Sequence, residues 1–253
     1  MHTRSVLEVK VLISSYFDAI SEKIAEIRAG ESDNIAHVAE VCAHSIEAGG
    51  VIHMHDTGHM LNSEMVGRAG GLVVITPFTF GLNVSNANSF REKTASQPNV
   101  TPEIVALALK KSNIRPGDVL FIGSVSGKSE QVVELALQAK AMGVTTVAIT
   151  AMAYSPKLES QHPSGKRLYE AADIVLDNHA PYGDAMLAVK GLDVDICPAS
   201  GIAAACILWA VCAGIVENLI ANGIVPTVFR SVNAPGGPED VKARHERYRE
   251  KGY

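Results

Sequence analysis

The segment Val119-Leu120-Phe121-Ile122 is apolar at four consecutive positions and runs straight into Gly123-Ser124-Val125-Ser126-Gly127-Lys128-Ser129, after which a helical pattern begins at Glu130. A strand with no polar face has to be covered on both sides, the environment of a parallel sheet between helical layers. The turn behind it brings three hydroxyls, two glycines and a lysine to the start of a helix, where backbone N–H groups lack intrahelical partners and the dipole is positive. Such a turn suits an anion, and a phosphate in particular: small residues let its oxygens reach the backbone while hydroxyls donate further bonds. The candidate phosphate-binding residues are Ser124, Ser126, Gly127, Lys128 and Ser129. The rival reading is a serine-capped helix with nothing bound. A Walker A loop is ruled out, because its spacing requires Gly where this chain has Ile122. A nucleophile elbow around Ser126 would need Gly at 124.

From residue 51 onward short apolar runs alternate with amphipathic ones. Strands are expected at 51–54, 72–76, 119–122, 144–149, 172–176 and 194–197, and helices at 57–66, 101–110, 130–142 and 200–221. The fold class this predicts is α/β: a three-layer αβα sandwich around a mostly parallel sheet, Rossmann-like or flavodoxin-like, with ligands at the strands' C-terminal edge. Ahead of it, Leu7, Val11, Ile13, Tyr16, Phe17, Ile20, Ile24 and Ile27 recur at helical spacing up to Gly30. A second helix from Ser32 or Asp33 runs to Gly49 and Gly50, giving an N-terminal helical pair. The expected organisation is helices over 1–48, the sheet domain over 49–230 and a tail over 231–253 that belongs to the same domain. Residues 78–98 hold no period and read as a long functional loop.

With 253 residues, 47% of them hydrophobic, the chain can bury a sizeable core. Its net charge of −5 offers no long-range attraction to nucleic acid or to an anionic membrane. The most apolar run, Gly201 to Ile215, falls short of the roughly 20 residues that span a bilayer, and Glu8, Lys10 and Asp18 interrupt any signal-peptide core. Four cysteines without a CxxC pair read as buried thiols of a reducing compartment. A cytoplasmic location is the expectation.

A second polar cluster, His53-Met54-His55-Asp56-Thr57-Gly58-His59, ends the first strand, with His53 and His55 on one face. Three imidazoles and a carboxylate could bind zinc, but the spacing matches no zinc motif; substrate contact by Thr57, Gly58 and His59, or loop scaffolding, is preferred, and His53 reads as a satisfied core histidine. Glu64 follows in Asn62-Ser63-Glu64-Met65-Val66-Gly67-Arg68. Apolar neighbours would raise its proton affinity and suit it to general-base work; a salt bridge to Arg68 four residues on is the competing reading. Ser200, opening the last long helix, either touches a sugar hydroxyl or caps that helix.

These motifs together resemble the sugar isomerase (SIS) domain family, over most of residues 32–248, and most closely its bacterial phosphosugar-binding, isomerase-like branch. VLFIGSVSGKS resembles the family's phosphate-binding strand and loop, and HDTGHMLNSEMVGRAGG its first substrate loop. HPSGKRLYEAADIVLDN and APYGDA resemble signatures of that branch, while SEMVGR resembles the part of the more distant sedoheptulose 7-phosphate isomerases that supplies a catalytic glutamate. The heptose isomerases carry a glutamine and a histidine on the last core helix, where this chain reads SGIAAACILWAVCAG.

What the resemblance implies is binding of a small phosphosugar, with aldose-ketose isomerisation through an enediol. Glu64 would be the base, and His55, His59, His162, His179 or a neighbouring subunit would supply the acid. A non-catalytic phosphosugar sensor and a phosphosugar lyase or etherase are the alternatives. No metal and no other cofactor is implied, and a homodimer or homotetramer is.

Overall fold

The computed structural model describes residues 3–58, 61–83 and 99–253, with side chains from residue 11 onward. Five strands, β1 (Ile52–Asp56), β2 (Ile75–Pro77), β3 (Val119–Gly123), β4 (Thr145–Thr150) and β5 (Ile174–Asp177), form one parallel sheet in the order β2-β1-β3-β4-β5. The all-apolar run is the central strand β3, buried at every position. The helices are α1 (Thr3–Glu47), α2 (Asn62–Met65), α3 (Thr101–Lys111), α4 (Glu130–Ala141), α5 (Leu168–Ala171), α6 (Ser200–Ala221) and α7 (Gly237–Lys251). Alternate strand residues divide between two cores: Met54, Phe121, Val147 and Ile149 meet α1 and α6, while Leu120, Ile122 and Ala148 meet α3, α4 and α5. That is the expected three-layer αβα sandwich.

Three sequence expectations change. The N-terminal pair is a single 45-residue helix. Gly30 sits inside it because the His179 ring approaches so closely that a Cβ there would lie 3.1 Å from two ring atoms. Ser32, the expected cap, turns its hydroxyl back to the Arg28 carbonyl at 2.5 Å, and buried Glu31 receives the Asp177 N–H at 3.3 Å. The helix therefore runs on through Gly30, which serves close packing; Gly49, at φ +84°, follows its end. The last expected strand does not join the sheet: β7 (Ile196–Pro198) pairs antiparallel with β6 (Ala185–Leu187), which the sequence did not suggest. The helix expected over 57–66 is reduced to the four residues of α2, because the turn before it is held by Asp56.

The apolar stripe of α1 is buried from Ile27 to Ile46, whereas Ile13, Phe17 and Ile24 nearer its start are exposed. α6 has the expected span of 22 residues and, contrary to the reading of its apolar run alone, is apolar enough by length and composition to cross a membrane. Here it packs on α1, with Ala203, Ile207, Leu208, Val211, Ile215 and Leu219 in the core. Gly214 lets the two helices touch: a Cβ there would lie 2.7 Å from that of Ala39. Burial pushes the Cys42 thiol up and holds Cys212 at about 12, so neither is a nucleophile. α7 folds back so that Arg244 donates to the Val228 carbonyl at 2.7 Å and Thr227 to that of Tyr253 at 2.7 Å.

His53 and His55 share a face of β1, as alternation requires, and it is the face toward α3 and α4. His53 donates through Nε2 to buried Asp118 at 3.0 Å, and Asp118 also accepts the Val51 and Arg115 N–H groups. His55 donates through Nδ1 to the Phe78 carbonyl at 2.8 Å and stacks on Phe80, leaving Nε2 buried and unpartnered among the described residues. Burial holds both imidazoles below their ordinary range, against the pull of Asp118 on one and of Phe78 and Asp56 on the other.

Two outcomes follow for stability. Gly214→Val should cost about 1–3 kcal/mol, read as a lower urea midpoint, because α1 and α6 cannot separate without opening the core. A histidine whose folded proton affinity is depressed contributes stability fully above the unfolded value near 6.5 and loses it as pH falls below. Thermal midpoints should therefore drop between pH 7.5 and 5.5, and His55→Gln should make that slope shallower.

Candidate functional site

All five strands point the same way, so their C-terminal ends deliver the connecting loops to one edge. At the end of β3 the loop 123–129 is held from behind through its carbonyl oxygens. Val125 accepts from the Ala151 N–H at 3.1 Å and the Thr150 hydroxyl at 3.0 Å, Gly127 from the Leu168 N–H at 2.7 Å, and Lys128 from the Gln161 N–H at 2.9 Å. With these oxygens turned back, the N–H groups of Val125, Ser126, Lys128 and Ser129 have no acceptor among the described residues. Gly127 makes the bend possible at φ +57°; a Cβ there would lie 3.0 Å from Ser155 Oγ and 3.1 Å from Leu168 Cβ.

The serine-cap alternative is not what the loop does. Ser129 is the N-cap of α4, yet its side chain makes no capping bond. Ser124 is buried and its Oγ accepts only the Gly127 N–H, at 3.3 Å. The loop leading into α4 thus presents donors and two hydroxyls, Ser126 and Ser129, that have no partner among the described residues, an arrangement suited to an oxyanion.

The loop that follows β1 lies beside it. The Thr57 N–H donates to the Gly123 carbonyl at 3.3 Å, and Leu61, just before α2, packs so closely on Gly123 that a Cβ there would lie 2.8 Å from Leu61 Cγ. Asp56 ties the turn together, accepting the N–H groups of Gly58, Leu61 and Asn62, each at 2.9 Å. A cleft of about 390 Å³ opens between the two loops, and Thr57, Gly58, Ser124, Ser126 and Ser200 line it. Ser126 and Ser200, 74 positions apart in sequence, are brought together here by the tertiary fold.

Four lining residues escaped the sequence reading: Val125, Tyr154, Gly183 and Asp184. The last two fall in APYGDA, noticed as a signature but without a role, since nothing local ties that segment to a helix 16 residues downstream. Asp184 supplies what Ser200 was expected to supply. Its Oδ1 accepts the Ser200 N–H at 2.8 Å and the Ala199 N–H at 3.2 Å, and its Oδ2 the Ser200 hydroxyl at 2.7 Å. Ser200 is accordingly the first residue of α6, and a distant carboxylate caps the helix.

The candidate proton-transfer residues are not gathered in this cleft. Glu64, on α2, is about one-third exposed, paired with Arg68 at 2.7 Å and receiving the Trp209 indole N–H at 3.3 Å. The apolar enclosure expected around it is absent, and the salt-bridge alternative is present. His55 faces Phe78 and Phe80, His162 bonds Glu134 at 2.7 Å, and His179 lies against Glu31 of α1. His59 lies outside the described residues. Neither Gly127 nor Lys128 nor Ser129 lines the cleft itself. His53 and His55 are committed to Asp118 and Phe78, so the two strand histidines do not converge as metal ligands.

Residues 15–151 match the SIS domain family. Over 242 residues the chain is 34% identical to a UPF0309 protein of Geobacillus kaustophilus, covering 95% of both. It is 31% identical over 242 residues to a UPF0309 protein of Listeria monocytogenes serotype 4b, covering 95% of this chain and 97% of that one. Among solved structures, the phosphoheptose isomerase GmhA of Neisseria gonorrhoeae superposes with a TM-score of 0.52 at 16% identity over 83% of this chain and 99% of that one. A phosphoheptose isomerase of Francisella tularensis gives 0.51 at 16% identity over 83% and 98%. At such identities the likeness is one of fold.

Proposed function

The chain belongs to the SIS domain family, and from that premise we propose that it binds a sugar phosphate, its phosphate on the loop 124–129 and its sugar in the cleft toward Thr57, Tyr154 and Ser200. The observation that carries this reading is the set of unpaired N–H groups at 125, 126, 128 and 129 beside the free hydroxyls of Ser126 and Ser129. The relatives that are phosphoheptose isomerases by name act on a ligand of the same kind. Charge is supplied to the anion by backbone dipoles, since no Lys or Arg lines the cleft among the described residues.

The test is a titration with sugar phosphates followed by heat stabilisation or calorimetry. Ser126→Ala with Ser129→Ala should weaken the tightest of them by about tenfold or more, because each hydrogen bond to a charged oxygen contributes roughly 1.5–3 kcal/mol. Unchanged affinity in that double variant would remove the proposed phosphate site.

Aldose-ketose isomerisation is the second reading, supported by the position of Glu64 one turn beyond Leu61, which packs on the root of the phosphate loop. There the carboxylate would take the proton from the carbon beside the carbonyl as the carbonyl oxygen gains one, giving an enediol, and return it to the former carbonyl carbon as the other hydroxyl gives up its proton. To do so it must exchange Arg68 for substrate. Incubation in deuterated water with the tightest ligand should then place deuterium at that carbon, and Glu64→Gln should abolish exchange while leaving affinity within a few fold. Binding without exchange by the intact protein would identify a sensor.

A further inference from the structure

Two long helices aim their N-termini at the cleft, and the chain treats them differently. α4 leaves its first donors unpaired. At α6 the Asp184 carboxylate takes the Ala199 and Ser200 N–H groups and the Ser200 hydroxyl, so that a negative charge already sits at this helix start. The residue is held there at φ +71°, a left-handed conformation that a side chain disfavours, directly after Gly183 at φ +80°. A helix start needs a capping oxygen, and an ordinary serine or aspartate at position 199 would give one locally without strain. Reaching back from 16 residues away instead places a carboxylate in the lining of the cleft that Ser124 and Ser126 also line.

Resting on the phosphosugar reading above, we infer that Asp184 makes the cleft selective for sugar monophosphates whose body is neutral or carries an ammonium group, and excludes sugar acids and bisphosphates. One anion has a place, at α4. A second would meet the Asp184 carboxylate at the start of α6, with no Lys or Arg among the described lining residues to offset it. The remaining polar surroundings favour hydroxyls: the Thr57 and Ser126 side chains and the Tyr154 phenol can each exchange hydrogen bonds with a polyol. The Tyr154 ring, set edge-on to Tyr182 with centroids 4.8 Å apart, also offers a face to an ammonium.

The experiment is calorimetric titration of the full chain with glucose 6-phosphate, glucosamine 6-phosphate, 6-phosphogluconate, fructose 1,6-bisphosphate and inorganic phosphate. The first two should bind at least about tenfold more tightly than the sugar acid and the bisphosphate. In Asp184→Asn, which keeps a capping oxygen, that gap should shrink by at least about threefold. Equal or tighter binding of the sugar acid or the bisphosphate by the intact protein overturns the inference, and so does a gap that persists unchanged in the variant. The ranking for the intact chain decides the matter even where the variant fails to fold. Phosphate binding with none of the four sugars seated overturns the selectivity and leaves the anion site standing. Binding of nothing, inorganic phosphate included, removes the phosphosugar reading and this inference with it.

Discussion

The site rests on how the backbone of residues 125–128 is oriented. A loop at the end of a buried strand must satisfy its carbonyls and its amides somewhere, and here the carbonyls are met from behind by the Ala151, Leu168 and Gln161 N–H groups and the Thr150 hydroxyl. The amides are left facing forward as a consequence. β3 is buried on both faces, so this loop cannot shift without disturbing both cores, and Gly123 locks it to Leu61 of the neighbouring loop. Rigidity at the anion end comes from packing of the sheet, and the polar groups inherit it.

Around that anchor the distribution of charge is economical. Among the described residues that line the cleft there is no Lys or Arg, and the one carboxylate is that of Asp184. Of the basic side chains near the region, Arg68 pairs with Glu64, Arg167 with Glu170 and with carbonyls of residues 156 and 158, and Lys157 lies over the Tyr182 ring, while Lys128 has no partner among the described residues. Neutral donors hold an oxyanion with little salt dependence and leave discrimination to shape and to like-charge repulsion.

The buried histidines illustrate how a chemically suggestive cluster can be structural. His53 and His55 alternate with Met54 on β1, and alternation sends them into the α3–α4 layer, away from the cleft. His53 then serves as the partner of Asp118, which in turn fixes the backbone at Val51 and Arg115 and so joins the starts of β1 and β3. Glu64 shows the converse. Its flanking residues Met65 and Val66 are apolar, but its own side chain leaves the core to meet Arg68 and the Trp209 indole.

The sequence by itself determined the α/β class, the register of hydrophobic runs, the phosphate-loop candidate and the span of α6, because each depends on local periodicity or on residues within about ten positions. It misjudged Gly30, since glycine ends a helix and admits a close neighbour with the same letter, and the neighbour, His179, is 149 positions away. It could not give Asp184 a role, because the helix it caps and the cleft it faces exist only after β5 has been laid beside β4 and the antiparallel β6 and β7 have turned the chain back. Strand order, the joining of the two substrate loops through Thr57 and Gly123, and the sign of charge at each end of the cleft are decided by contacts between distant segments, which local propensity does not encode.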